Sequence, residues 1–561
     1  MKEQVSAVKR SEKQQEWVNL IRVFTCPEDE KTRDVLVHHM RLILFELHDF
    51  LIQNVGITEA VSLKEIADRC TNTVMNGYPE KRLADVITGV FEEISPHVVN
   101  VASPYFVGHM TAAIPYFMVH LKAIVAALNQ NVVKLETSKM LSVLEKQVVA
   151  KVHRMIYKKG NPFYLEHVQN AHTSLGSFTE GGTTANLTAL WVARNKALGP
   201  LQGFKGAEID GLPAAYAAHG IDRCVILVSK RCHYSLRKCG GILGIGNANI
   251  VPVPVDHTNR MRVDRLAEMI DSLKKEGRIR IVAVVAVAGT TETGNVDPLS
   301  EISALCRKEG LFLHVDAAWG GPTLMSETYA PILRGIEHAD SVTIDGHKQF
   351  YMPMSSGMIF FKDPTSLDAV AYHANYIIRK GSVDLGSKTL SGSREANCLI
   401  LDSAFKIMGS RGYGMLIDHG IELARSFADE IETRDTFQLV TRPELNILTY
   451  RVCPKSIQEE LSQASDARIL EINDYFNEVN RSLQQEQREA GNSFVSRTVL
   501  EQETVFPGSP EGRVVVLRSV LMNPLTTIEV LRDILDEQED LYAAWLQGAS
   551  TRKGRHREEE G

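Results

Sequence analysis

Ser341-Val342-Thr343-Ile344-Asp345-Gly346-His347-Lys348 reads as a short buried strand that delivers a lysine, preceded by a histidine, at the strand's end. An ammonium is costly to bury there, which favours the neutral, nucleophilic amine. Upstream, Leu311-Phe312-Leu313-His314-Val315-Asp316 is a second apolar strand, and it ends on a carboxylate followed by Ala317-Ala318-Trp319-Gly320-Gly321. An amine placed to form an imine and a carboxylate placed to pair with a pyridinium nitrogen are what pyridoxal phosphate requires of a protein. The two strand ends point to that cofactor.

Other stretches carry compatible chemistry, each with a plainer reading beside it. Thr179-Glu180-Gly181-Gly182-Thr183-Thr184-Ala185-Asn186 precedes a helical run from Leu187 to Leu198. Small residues at a helix start leave N–H groups free for a phosphate, and the helix dipole favours the anion, although an ordinary helix cap uses the same residues. No lysine stands where a nucleotide-binding P-loop needs one. His233, just past a predicted strand, can stack on a planar ring, but a lone histidine there also fits a surface or satisfied core position. Asp316 by itself could cap the Ala317-Ala318 turn, and Lys348 could be a snorkelling surface residue. Small Ala318 would let a ring lie flat above it. Four such signals in this order point one way.

The elements that must position these residues follow from the apolar pattern. Val225–Val228, Ile250–Val255, Ile281–Ala288, Leu311–Val315, Val342–Ile344 and Met358–Phe361 are β-branched or aliphatic runs alternating with helical segments. That alternation predicts an α/β domain on a mostly parallel sheet, with the site at the strands' carboxyl ends. The spacing predicts helices from Val35 to about Ser95, a loop at Ser103–His109, and a long polar loop from Tyr372 to Ser393. The resulting division is a helical N-terminal segment (1–100), a large domain (101–394), a small α+β domain (395–546) and a disordered tail (547–561).

Composition limits the alternatives. The 561 residues call for two or three domains, and 44% hydrophobic with 23% charged residues is ordinary for a globular protein. A net charge of −7 argues against a nucleic-acid partner. The eight cysteines form no CxxC pair, so reduced thiols are expected rather than disulfides or a metal site. No apolar run is long enough to span a bilayer, the first residues lack a signal-peptide core, and the expected location is the cytoplasm.

The segments FTEGGTTANLTALWVARN, VAGTTETGNVDP, HVDAAWGGP, DGHK and VVVLRSVLMNP, with the His233 region, resemble the group II pyridoxal-phosphate-dependent amino-acid decarboxylases. The resemblance spans residues 100 to 525. It implies the fold type I architecture of pyridoxal-dependent transferases and a homodimer with sites at the subunit interface. It also implies loss of the α-carboxylate from a small acidic amino acid. Overall likeness favours aspartate, giving β-alanine for pantothenate and coenzyme A synthesis, over glutamate or cysteine sulfinate. By the same resemblance Lys348 would carry the cofactor, Asp316 would meet its ring nitrogen and His233 would stack on the ring. Gly182 and Thr183 would bind the phosphate, while Thr291, Ala318 and His347 would support the cofactor. Tyr376 matches a loop tyrosine that protonates the substrate carbon, and Arg518 an arginine for a substrate carboxylate. Phe106 and His109 lie in a substrate-contacting loop. Two departures stand out: Gly346 replaces a common proline before the His-Lys pair, and Val107-Gly108-His109 replaces an Asn-Gln pair of glutamate decarboxylases. The second weighs against glutamate. Arg394 lies in a matching segment without an assigned role. The alternatives are a non-catalytic cofactor-binding protein, or an aminotransferase or aldolase on the same scaffold.

Overall fold

The structure, a computed structural model, describes residues 13–18, 20–21, 30–53, 61–373 and 384–559. The chain divides into two compact units, residues 1–103 and 104–561. In the first, helix Glu30–Gln53 is followed by helix Leu63–Arg69. Ser62 starts the latter because its hydroxyl accepts from the Glu65 N–H while the Glu65 carboxylate accepts from the Ser62 N–H, so two orphan donors are satisfied at once. A third helix, Leu83–Gly89, runs on into a wider turn at Val90–Ile94.

The second unit is built on two sheets. The larger has seven strands: β1 (Gly176–Thr179), β2 (Arg223–Ser229), β3 (Ile250–Val253), β4 (Ile279–Val287), β5 (Leu313–Asp316), β6 (Ser341–Asp345) and β7 (Gly357–Phe361), in the spatial order β1-β7-β6-β5-β4-β2-β3. The β3-β2-β4-β5-β6 block is parallel, whereas β7 is antiparallel to both β6 and β1. On β2, Val225 and Leu227 join a core that contains helix Met140–Tyr157, while Cys224, Ile226 and Val228 join one that contains helix Gly182–Ala197. Side chains alternate across a strand, so a sheet covered by helices on both faces needs apolar residues at every position. That is why these strands read as unbroken aliphatic runs. Burial of each Val, Leu or Ile contributes about 1.5–3 kcal/mol, so the strand centres carry much of the stability.

The smaller sheet is antiparallel, in the order β10-β11-β9-β8, from β8 (Phe437–Thr441), β9 (Ile447–Val452), β10 (Ser496–Glu501) and β11 (Arg513–Val520). Helix Asp466–Ala490 packs on it, burying Ile472, Phe476, Val479 and Leu483. The final helix runs Ile528–Glu559, through residues 547–559 that the sequence pattern assigned to a disordered tail. Lys, Arg and Glu are good helix formers, and a charged composition alone does not end a helix already begun.

Candidate active site

Parallel strands open their carboxyl ends to one edge of the sheet, and the chemistry collects there. β5 ends at Asp316, β6 at Asp345 with Lys348 one turn on, and β4 leads into the turn Gly289-Thr290-Thr291. Gly289 adopts φ +93°, and a Cβ there would press on Trp319 at 2.9 Å and on Leu445 at 3.0 Å, so only glycine lets this turn close against the β5 loop. Between them lies a cavity of about 290 Å³ lined by Gly182, Thr183, His233, Thr291, Asp316, Ala318, His347 and Lys348, together with Glu180, Thr184, Asn186, Trp319 and Asp345. Eight of the residues singled out from sequence therefore line one cavity. Phe106, His109 and Arg518 are not part of that lining. Tyr376 lies outside the described residues.

Asp316 is buried and receives a donor on each oxygen: the Asn186 amide at 2.8 Å and the Ala318 N–H at 3.2 Å. Lys348 Nζ lies 3.1 Å from Asp345 Oδ2, and His347 Nε2 lies 3.7 Å from the same oxygen. The other Asp345 oxygen is buried, with no partner among the described residues. Asp345 and Asn186 were not singled out from sequence, although each sits inside a quoted motif, and their polarity within apolar elements was the available signal. On the opposite wall, helix Gly182–Ala197 begins with no side-chain cap at Gly181. A Cβ on Gly182 would meet Asp345 Oδ2 at 2.9 Å, so the bare backbone of the helix start is what fits beside that carboxylate. His233 accepts the Ser235 N–H at Nδ1 (3.3 Å), and burial lowers its pKa, with the Asp316 charge opposing. A neutral ring then carries its proton on Nε2.

The second group approaches from the small sheet. Arg518, on β11, is buried, and among the described residues its side chain makes one hydrogen bond, Nη1 to Ser496 Oγ at 3.2 Å, leaving Nε unpartnered. Burial pushes its pKa down to about 10, with Glu292 opposing. The loop at 105–109 is held like an extra strand: Phe494 N–H donates to Tyr105 O, Val107 N–H to Phe494 O and Val520 N–H to Val107 O. Phe106 stacks on Phe494 with centroids 5.1 Å apart. A Cβ on Gly108 would strike the Phe494 ring at 2.5 Å, so the loop's glycine permits this close approach. His109 follows directly. Partial desolvation lowers its pKa, and the positive charges of Arg518 and Lys348 lower it further. Arg394 serves elsewhere, in a buried two-bond pair with Glu145 at 2.6 and 3.0 Å.

The residues fit pyridoxal phosphate. Bare N–H groups and threonine hydroxyls at a helix start suit a phosphate, a buried carboxylate on the cavity wall suits a ring nitrogen, and a lysine lies between. The cavity volume is at the small end of ligand sites, about 300–1,000 Å³, which suits a single ring with one phosphate.

Comparison with known proteins agrees with this geometry. The family model described as the pyridoxal-dependent decarboxylase conserved domain matches residues 71–453. Aspartate 1-decarboxylase of Aliivibrio fischeri is 43% identical over 527 residues, covering 94% of each chain. Acidic amino acid decarboxylase GADL1 of Bos taurus is 30% identical over 66% of this chain and 67% of that protein. A crystal structure of Oryza sativa TDC with PLP and tryptamine superposes with TM-score 0.76 at 18% identity, covering 93% of this chain and 99% of that one.

Proposed function

The chain belongs to the pyridoxal-dependent decarboxylase family, and we propose that it converts L-aspartate to β-alanine and CO2. One observation carries the chemistry: Lys348, Asp316, His233 and the Gly182-Thr183 helix start line a single cavity sized for the cofactor. The choice of aspartate is supported by the extent of likeness to the Aliivibrio enzyme.

When bound, pyridoxal phosphate supplies an electron sink for the pair left behind as CO2 departs. The protein's part is binding, orientation and proton handling. The helix start at Gly182 and Thr183 would take the phosphate. Asp316 would pair with the ring nitrogen and balance its proton, and His233 would lie against the ring. Ala318, Thr291 and His347 support it from the strand ends. The Lys348 amine would hold the cofactor, with the Asp345 carboxylate 3.1 Å away as its counter-ion. Arg518 and His109 receive the substrate's second carboxylate, and Phe106 shapes the loop beside them. Tyr376 delivers the proton to the substrate's Cα.

The working enzyme is a homodimer in this reading. Helix Tyr116–Leu128 leaves Tyr116, Val119, Ile124 and Leu128 exposed, an apolar face that a second subunit would cover. Among the described residues no helix is long and apolar enough to cross a membrane, and the seven described cysteines are free, which fits work in the cytoplasm to supply β-alanine for pantothenate. The decisive experiment gives the cofactor-loaded protein equal aspartate and glutamate and separates the amines by chromatography. β-Alanine should predominate. A predominance of 4-aminobutyrate would overturn the substrate and the reading of the Tyr105–His109 loop.

A further inference from the structure

We infer that Asn186, His314 and Ser341 form a positioning relay that holds the Asp316 carboxylate toward the cofactor's ring nitrogen. The inference rests on the reading of Asp316 given above and names the residues that make it work.

The relay follows from strand periodicity and register. His314 and Asp316 are two residues apart on β5 and so face the same side of the sheet. Ser341, on β6, is the register partner of His314. Helix Gly182–Ala197 crosses that face in contact with β4, β5, β6 and β7 and lowers Asn186 between them. The side chains connect in one line: Asn186 Nδ2 lies 2.8 Å from Asp316 Oδ2, Asn186 Oδ1 lies 3.0 Å from His314 Nε2, and His314 Nδ1 lies 2.9 Å from Ser341 Oγ.

Donor and acceptor roles are forced along the chain. A carboxylate only accepts, so Asn186 must turn its NH2 toward Asp316 and its carbonyl toward His314. His314 Nε2 must then donate. Burial holds this imidazole below its usual pKa against the pull of the Asp316 charge, so the ring is neutral and Nδ1 accepts the Ser341 hydroxyl. The Asn186 NH2 has a second acceptor, Ser235 Oγ, at 3.3 Å. Ser341 and His314 are 0% exposed, Asn186 1% and Asp316 5%.

Four polar side chains deep in an apolar sheet need a reason, since an incomplete buried network costs more than an apolar one. A purely structural network would close on itself. This one ends on the oxygen of a carboxylate that lines the cofactor cavity. With Ala318 N–H on the other oxygen, both carboxylate oxygens are held by donors from the protein. Each member acts through the next, so all three are positioning residues.

The test loads wild type, His314→Phe, His314→Gln and Ser341→Ala with pyridoxal phosphate. It measures the cofactor dissociation constant by equilibrium dialysis, the visible absorption of the bound cofactor, and kcat and KM. His314→Phe leaves the Asn186 carbonyl unpaired and should weaken cofactor binding about tenfold or more, the size of one lost bond in a charge-linked chain. It should also lower kcat more than it raises KM. His314→Gln keeps an N–H near the Nε2 position and should return the dissociation constant to within about threefold of wild type, a rescue that a merely space-filling histidine would not show. A folded His314→Phe protein with the wild-type constant and spectrum overturns the relay. If that variant does not fold, Ser341→Ala, which removes only a hydroxyl, decides. A constant raised about threefold supports the relay and an unchanged one overturns it. Failure of wild type to bind the cofactor would instead overturn the reading of Asp316 beneath it.

Discussion

Replacing Arg518 with methionine should make the substrate-free protein more stable and the enzyme worse, and the two effects have one cause. The guanidinium is buried with a single hydrogen bond among the described residues and an unpartnered Nε. Its pKa falls from 12.5 to about 10, mainly through desolvation. At about 1.4 kcal/mol per pKa unit, the charge costs the folded state about 3 kcal/mol. Losing the Ser496 bond returns about 1 kcal/mol of that. A methionine of similar reach should therefore raise stability by about 2 kcal/mol, read as a higher urea midpoint at unchanged slope. The bound substrate alters the balance. A carboxylate taken up by the guanidinium fork makes charge-assisted bonds worth about 1.5–3 kcal/mol each, so their loss should cut kcat/KM for aspartate by about 10²-fold or more, mostly through KM. Arg518→Lys, which keeps the charge but not the fork, should fall between the two in activity. A methionine variant that is less stable than the parent yet keeps its KM would refute this reasoning and make Arg518 a structural residue.

Other parts of the fold give independent checks. The Arg394–Glu145 pair is buried on both sides, and Arg394 is also held through its backbone by Val132 N–H and Asn131 Oδ1. Arg394→Ala strands the Glu145 charge and should cost about 3–5 kcal/mol by chemical denaturation, whereas Arg394→Met combined with Glu145→Leu should recover most of the loss. His153 donates from Nε2 to Phe361 O at 3.1 Å and lies 3.0 Å from Tyr164 Oη, and burial pushes its pKa down to about 3. The unfolded ring takes up a proton near pH 6.5 and the folded one does not, so protons favour unfolding from about pH 6.5 down to 3. Stability should fall by about 1.4 kcal/mol between pH 7.5 and 5.5 on this account. His153→Gln should lose that part of the acid sensitivity, and an identical acid response in both proteins would show that the ring charges while folded.

Much of the cofactor wall was legible because its parts are local. A strand that ends in Asp316, a strand followed by Lys348, and a helix that opens on Gly182-Thr183-Thr184 each declare themselves within about eight residues. Parallel topology then brings strand ends together at one edge. β1 was not legible: Gly176-Ser177-Phe178-Thr179 has no strand pattern of its own, and its conformation is set by antiparallel pairing with β7. The Arg394–Glu145 pair was hidden for another reason, since nothing in either neighbourhood foretells a partner 249 positions away. His314 is the intermediate case. Its spacing from Asp316 places both on one face by the two-residue period of a strand, but the docking that lowers Asn186 onto them depends on the tertiary fold.

The same distinction explains why the cofactor was easier to read than the substrate. Cofactor groups come from strand ends and a helix start of the large sheet, where position along an element already sets direction. The groups proposed for the substrate come from segments far apart in the chain: the 105–109 loop, β11 of the other sheet, and the segment containing Tyr376, which lies outside the described residues. Phe494 and Val520 hold the 105–107 stretch in place through backbone bonds and the Phe106–Phe494 stacking. Gly108 is the joint of that clamp, because a Cβ there would meet both the Phe494 ring and the Ser496 N–H at about the distance of a covalent clash, 2.5 and 2.6 Å. Ser496 is also the hydrogen-bond partner of Arg518. A residue larger than glycine at 108 should therefore disturb Ser496 and, through it, the Arg518 guanidinium proposed to meet the substrate's second carboxylate.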